Sequence, residues 1–157
     1  MEKIRILIVE DEGLIARDIE NMVKNAGYEV CDVASTGVEA IEKADQHQPD
    51  LILMDIILRG DMDGVEAAER IRENSNIPVI YLTAHTDETT LQRAKLTEPQ
   101  GYTLKPVEQK ELLTVVEMAL YKHQLEMKLK ERENWLSTLL QSIGEGVIAT
   151  DRSGNIT

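Results

Sequence analysis

Five short apolar segments alternate with helical patterns through about residue 120, and this alternation constrains the fold more than any other feature of the chain. Near-continuous apolar strands between helices favour a parallel sheet that is covered by helices on both faces, so the pattern predicts a doubly wound α/β fold. Apolar residues at steps of three and four also predict a fourth helix around Leu91 and Ala94. The predicted strands are Ile4–Val9, Tyr28–Val33, Leu51–Met54, Val79–Leu82 and Gly101–Leu104.

The charge balance limits the partners of the chain. Its 29 acidic against 17 basic residues give a net charge of −12, which argues against nucleic acid or an anionic membrane surface as the main partner. The single cysteine, Cys31, cannot form an internal disulfide. No apolar run approaches the roughly 18 residues of a membrane span. The composition therefore predicts a soluble, cytoplasmic protein.

A helical pattern continues without glycine or proline from Val107 to Ile143, which predicts one helix of about 35 residues, against a usual length of about 11 to 12. Such a helix needs an apolar partner. It could fold back on its own domain, but the pattern favours a parallel two-stranded coiled coil and hence a homodimer. Lys122 and Arg132 would weaken this seam. The seam positions are Val115, Met118, Lys122, Leu125, Leu129, Arg132, Leu136, Leu139 and Ile143.

Polar and charged residues stand where the predicted strands end. Glu10 and Asp11 follow the first strand, and Asp55 ends the third as one acid among seven apolar residues. Thr83 ends the fourth strand, and Lys105 follows the fifth. Open parallel sheets bind ligands beyond the carboxyl ends of their strands, so this edge is the candidate site.

The charges at this edge predict a bound cation. Three carboxylates and the Lys105 ammonium leave a charge of −2, which is costly to hold together unless a cation neutralises it. One magnesium ion (Mg²⁺) would balance that charge, because Mg²⁺ prefers a few carboxylate oxygens with room for water. The alternative is a set of unrelated, solvated loop acids.

In this order and on these elements, the residues resemble the receiver domain of response regulators over about residues 3–122. The resemblance implies a flavodoxin-like five-stranded sheet with strand order 2-1-3-4-5. It also implies a receiver domain at 1–122 and a helical or coiled-coil linker at 123–141. The segments that carry the resemblance are Ile6–Glu12, Asp55, Thr83–Ala84, Tyr102 and Lys105–Pro106.

The resemblance implies that Asp55 accepts a phosphoryl group from the phosphohistidine of a histidine kinase or a phosphotransfer protein. Mg²⁺ would be bound by Asp11, Asp55 and the backbone carbonyl of Ile57. Glu10 stands where the family more often has aspartate, and would act on the metal directly or through water. The receiver would thereby catalyse its own phosphorylation and dephosphorylation.

Three further residues receive roles from the same resemblance. Lys105 would neutralise charge on the transferring oxygens, and Thr83 would form a hydrogen bond with a phosphoryl oxygen once it arrives. Tyr102 would swing into the space that Thr83 vacates, so that phosphorylation switches a surface and, through it, the helical linker.

Two other functions stay open on the residues alone. The first is a hydrolase of the aspartyl-phosphate type, in which Asp55 would act as a covalent catalyst with turnover. The second is a dimerisation scaffold that is not phosphorylated. The acidic loop Asp61–Gly64 also matches a motif of phosphatases and calcium loops, but Arg72 stands where a calcium loop needs glutamate. We interpret this loop as a solvated turn that caps the third helix.

Residues 142–157 resemble the opening of a PAS sensor domain. The pattern from Gly144 to Thr157 predicts a strand, a turn and the start of a second strand, and Gly146–Asp151 with the following Gly-Asn turn carries the resemblance. A receiver followed by a helical connector and a PAS domain is an arrangement similar to that of multidomain histidine kinases.

Overall fold

The computed structural model describes residues 3–84, 92 and 100–146, the last five of these by their backbone alone. Each strand begins and ends within one residue of its predicted bounds, whereas the predicted helix around Leu91 and Ala94 lies outside the described residues. The strands are β1 (Arg5–Val9), β2 (Glu29–Ala34), β3 (Leu51–Asp55), β4 (Val79–Thr83) and β5 (Gly101–Leu104). The helices are α1 (Gly13–Asn25), α2 (Gly37–His47), α3 (Gly64–Asn74) and the C-terminal helix (Gln109–Gly146).

The five strands form one parallel sheet in the order β2-β1-β3-β4-β5, which confirms the predicted flavodoxin-like fold. Val9 of β1 pairs with Ala34 of β2 and Met54 of β3, and Thr83 of β4 pairs with Leu104 of β5. Because the strands are parallel, the residues that follow Val9, Met54 and Leu104 emerge at the same edge of the sheet. Glu10, Asp55 and Lys105 follow these positions.

Helices cover both faces of the sheet, as a doubly wound fold requires. On one face, α1 contributes Ile19 and Val23 to the core, and the C-terminal helix contributes Leu112 and Val116. On the other face, α2 and α3 pack small and branched residues such as Ala40, Ala44, Val65 and Ile71 against the strands. All five residues of β3 are buried, so the strand that carries Asp55 is fixed by apolar packing on both sides.

The loop before α3 holds that helix close to the end of β3. Asp63 caps the helix, because its carboxylate accepts a hydrogen bond of 2.9 Å from the Glu66 amide, and this confirms its predicted role. The Gly64 amide donates to the carbonyl of Ile56 at 2.8 Å. A β-carbon at Gly64 would overlap the carbonyl oxygen of Asp55. Glycine at this position therefore permits a backbone approach that no other residue allows.

The C-terminal helix is 38 residues long, which agrees with the predicted long helix. It begins three residues after Pro106 and continues through Gly146. The predicted strand from Gly144 is therefore wrong for residues 144–146, since an isolated glycine costs a helix only about 1 kcal/mol. The remainder of the predicted PAS segment, 147–157, lies outside the described residues.

By its contacts the chain divides into two compact units, Met1–Tyr121 and Lys122–Thr157. Among the helices that the structure describes, none offers a stretch long and apolar enough to cross a bilayer.

The Gly64 contact predicts the effect of adding a single methyl group. Gly64→Ala should lower the free energy of unfolding by about 1–3 kcal/mol, because the new β-carbon can be accommodated only if α3 moves away from β3. Urea denaturation followed by circular dichroism measures the change. Gly13→Ala is the matched control, since Gly13 also begins a helix but has no neighbouring atom within 4 Å of the added carbon. Equal stability of the two variants would contradict the prediction.

Candidate functional site

Three carboxylates meet at the carboxyl edge of the sheet, as their positions after β1 and in β3 predict. One ligand oxygen from each of Glu10, Asp11 and Asp55 can be chosen so that all three atoms lie within 4.8 Å of one another. Glu10 and Asp55 are almost fully buried, at 2% and 4% exposure, and Asp11 is half-buried. The site is therefore a concentrated group of negative charge with one side open to solvent.

Lys105 lies between the two buried carboxylates. Its ammonium nitrogen is 2.8 Å from Oε1 of Glu10 and donates a hydrogen bond of 2.8 Å to Oδ2 of Asp55. The position follows from β5, which lies beside β4, and from the Lys105 amide, which donates to the carbonyl of Thr83 at 2.8 Å. Lys105 thus places a positive charge beside Glu10 and Asp55, although β5 is not adjacent to β1 or β3 in the sheet.

Burial and neighbouring charges shift the pKa values of this group. Desolvation is the main cause that raises the pKa of Glu10 to about 7; Lys105 opposes the shift, and Asp55 adds to it. For Lys105, burial acts to lower the pKa, but the hydrogen bonds and charges of Asp55 and Glu10 outweigh it and raise the pKa above its ordinary value. The ammonium group is therefore held in its charged form.

Asp55 is oriented through both of its carboxylate oxygens. Oδ2 accepts from Lys105, and Oδ1 accepts a hydrogen bond of 3.2 Å from the Ile57 amide. The backbone of Ile57 therefore lies beside the acid, and its carbonyl as a metal ligand stays a prediction. Glu10 is held in a similar way, since its Oε2 accepts from the Glu12 amide at 3.1 Å.

Arg59 is a residue of this site that the sequence did not single out. Its Nε lies 3.7 Å from Oδ2 of Asp11, and its side chain is 75% exposed, against 15% for Asp11. Nothing in the spacing of the loop distinguishes Arg59 from an ordinary solvated arginine. The contact arises because the loop after β3 turns back toward the end of β1.

Thr83 and Tyr102 lie on the adjacent strands. Thr83 is buried, and its hydroxyl donates to the carbonyl of Ala84 at 3.2 Å. Tyr102 is half-buried, with its ring centroid 6.2 Å from that of Tyr81. Desolvation raises the pKa of the Tyr102 phenol. Thr83 thus ends the strand beside Asp55, while Tyr102 packs on β4 further from the strand end.

The donor set fits a hard divalent cation. Its ligands are oxygens, they converge within one coordination distance, and three carboxylates with one ammonium leave a charge of −2. Such oxygens suit Mg²⁺, which binds few carboxylates and keeps several waters. A carboxylate beside a cation and an ammonium group is also a suitable nucleophile toward an anionic phosphoryl group, because both positive groups reduce the charge repulsion.

Comparison with known proteins agrees with this geometry. Residues 6–117 match the model of the response regulator receiver domain. The transcriptional regulatory protein PdtaR of Mycobacterium tuberculosis is 36% identical over 116 residues, which cover 74% of this chain and 56% of PdtaR. The chain thus spans about half the length of this curated relative.

Two solved structures are similar in both sequence and fold. The signal receiver domain of a modulated diguanylate cyclase from Desulfovibrio desulfuricans G20 is 41% identical, with a TM-score of 0.75 over 80% of this chain and 99% of that one. The N-terminal domain of a response regulator/sensory box/GGDEF protein from Carboxydothermus hydrogenoformans is also 41% identical, with a TM-score of 0.72 over 78% and 98% of the two chains. The chain therefore belongs to the response regulator receiver family, the phosphoacceptor modules of two-component signalling.

Proposed function

We propose that Asp55 is the phosphoacceptor and that it receives a phosphoryl group from the phosphohistidine of a histidine kinase or phosphotransfer protein. The observation that carries this proposal is the convergence of Asp55 with Glu10, Asp11 and Lys105 at one edge of the sheet. Asp55 is the only member of this group that lies within a strand. Its position is thus the most rigidly fixed of the four.

The transfer exchanges one bond for another at phosphorus. A carboxylate oxygen of Asp55 attacks the phosphoryl group, an oxygen–phosphorus bond forms, and the phosphorus–nitrogen bond of the donor breaks as the imidazole leaves. Lys105 and the Ile57 amide hold the carboxylate at 2.8 and 3.2 Å, so it needs little reorientation before it reacts. Lys105 then offsets the charge that the phosphoryl oxygens bring into the site.

Mg²⁺ would be held by Asp11, Asp55 and the backbone carbonyl of Ile57, with Glu10 direct or through water. When bound, it neutralises charge on the transferring oxygens. Lys105 already contacts Glu10 at 2.8 Å, which favours the indirect role for the longer glutamate side chain.

Thr83 and Tyr102 would convert the new phosphoryl group into a change of surface. The Thr83 hydroxyl now donates to the adjacent carbonyl of Ala84 at 3.2 Å, a local bond that a phosphoryl oxygen can replace. When Thr83 turns toward the site, Tyr102 would fill the space on β4 and β5. The changed surface would include the start of the C-terminal helix.

We propose a second copy of this chain as the partner of the C-terminal helix. Beyond Val115, which packs into the domain core, apolar seam residues are exposed, among them Leu129 at 59% and Leu136 at 45%. In a parallel pair, the heptad repeat places Lys128 of one helix beside Glu133 of the second copy, which favours that orientation. Lys122 and Arg132 remain the two charged seam positions.

The whole protein would use this dimer as a connector between domains. We propose a receiver at 1–122, a helical linker at 123–141 and the start of a PAS-like sensor domain at 142–157. The sequence Gly146–Asp151 supports the last part. The two structural relatives add support, since one is the receiver domain of a diguanylate cyclase and the other is the N-terminal domain of a three-domain protein named with a sensory box.

Acetyl phosphate with Mg²⁺ tests the phosphoacceptor. The chain should gain the mass of one phosphoryl group, and Asp55→Asn should abolish this gain because an amide is not a nucleophile here. Intact-protein mass spectrometry measures the outcome.

The matched control for that experiment is Asp61→Asn, which makes the same replacement of a carboxylate oxygen by an amide nitrogen in an exposed acid of the neighbouring loop. It should be phosphorylated like the parent chain. Rapid continuous release of phosphate would favour the hydrolase alternative, and no reaction in the parent chain would favour the unphosphorylated scaffold.

Sedimentation equilibrium at tens of micromolar tests the dimer. The parent chain should sediment as a dimer, and the double variant Leu129→Lys with Leu136→Lys should sediment as a monomer, because four lysines would face one another in the seam. Leu14→Lys is the control, since Leu14 lies on α1 and is already 83% exposed. A monomeric parent chain, with and without phosphorylation, would refute the proposal.

A further inference from the structure

A cationic side chain of the protein itself lies beside Asp11. Arg59 approaches Asp11 from the solvent side, with Nε 3.7 Å from Oδ2 and three quarters of the side chain exposed. Lys105, by contrast, contacts Glu10 and Asp55 from within and is only 22% exposed. Among the described residues, two cationic side chains therefore contact the three carboxylates, Arg59 from the solvent side and Lys105 from within.

The backbone around Arg59 is fixed independently of its side chain. Arg59 forms an isolated parallel bridge with Thr36, the residue that caps α2. Gly60 then takes a left-handed conformation, with φ of 95°, which turns the chain sharply. Met62 lies against Gly37, where an added β-carbon would be 2.9 Å from its Cγ. The loop is thereby attached at Arg59 and at Met62, and this backbone places the Arg59 side chain beside Asp11.

We infer that Arg59 is a positioning residue that competes with the divalent cation for Asp11 and so sets the cation concentration at which the site fills. The inference rests on the proposed Mg²⁺ site. A guanidinium group within ion-pair distance of Asp11 repels a cation that binds the same carboxylate. Because Arg59 is largely exposed, it can move into solvent when the metal binds, whereas the buried Lys105 stays in place.

Competition of this kind predicts the direction in which the cation affinity changes when Arg59 is replaced. Removing the charge of Arg59 leaves Asp11 without its ion pair, so the site should bind a divalent cation more tightly, by about two- to fivefold, the size expected when one partner of the pair is largely exposed. The difference in affinity between the parent chain and the variant should shrink as potassium chloride is added. Salt screens exposed charges, and the screening length is about 10 Å at 0.1 M and shorter at higher concentrations.

Binding of Mn²⁺ by the full chain, followed by electron paramagnetic resonance, tests this inference without any phosphoryl donor. Mg²⁺ then displaces Mn²⁺ in a competition titration and gives its own dissociation constant. Arg59→Gln removes the charge at similar length, and Arg59→Lys retains it. Arg70→Gln is the matched control, because it makes the same charge change in a pair with Glu66 on α3.

The inference holds if Arg59→Gln lowers the dissociation constant of both cations, Arg59→Lys restores the parent value and Arg70→Gln leaves it unchanged. It is overturned if the parent chain binds the cations and Arg59→Gln binds them equally or more weakly. An equal gain from Arg70→Gln would overturn it too, since the effect would then be one of net charge. If neither the parent chain nor Arg59→Gln binds a cation, the proposed Mg²⁺ site itself fails and this inference fails with it.

Discussion

The ammonium group of Lys105 is the interaction on which the candidate site depends. Two nearly buried carboxylates, Glu10 and Asp55, have oxygens within 4.8 Å of each other, where like charges repel, and Lys105 contacts both at 2.8 Å. Desolvation, more than the neighbouring charges, raises the pKa of Glu10 to about 7, and the one ammonium group does not balance the three carboxylates, so negative charge remains at this edge. That remaining charge is what makes the edge attractive to a divalent cation and, with the cation, to a phosphoryl group.

Close backbone packing holds the reacting side chain in place around this charge. β3 is buried along its whole length, α3 approaches its end through Gly64, and the Asp55 carboxylate is held at both oxygens. Rigid elements of this kind hold a nucleophile close to the geometry that its reaction needs, whereas loops on the open side can change conformation. Arg59 lies on that open side, with three quarters of its side chain exposed.

The C-terminal helix packs against the sheet at its start and carries exposed apolar residues further along. Leu112 and Val116 bury against the sheet, while Leu125, Leu129 and Leu136 of the same helix are exposed. One helix thus carries two apolar stripes that serve different partners, the domain's own core and a proposed second chain. β4 is in contact with the first stripe, since its Ile80 and Leu82 belong to the same apolar cluster as Leu112 and Val116, so a physical route exists from the strand that ends at Thr83 to the start of this helix.

The sequence by itself determined the alternation of strands and helices, the strand bounds to within one residue and the carboxylates at the strand ends, because hydrophobic periodicity and buried acids are local signals. The sequence pattern wrongly predicted a strand at residues 144–146, where the C-terminal helix continues through both Gly144 and Gly146. It also did not indicate that Arg59 belongs to the site. Only the tertiary structure decided that Lys105 lies between Glu10 and Asp55 and that Arg59 reaches Asp11. Those contacts join residues far apart in the chain, and no local pattern encodes a distance that is set by sheet order and by the path of a loop.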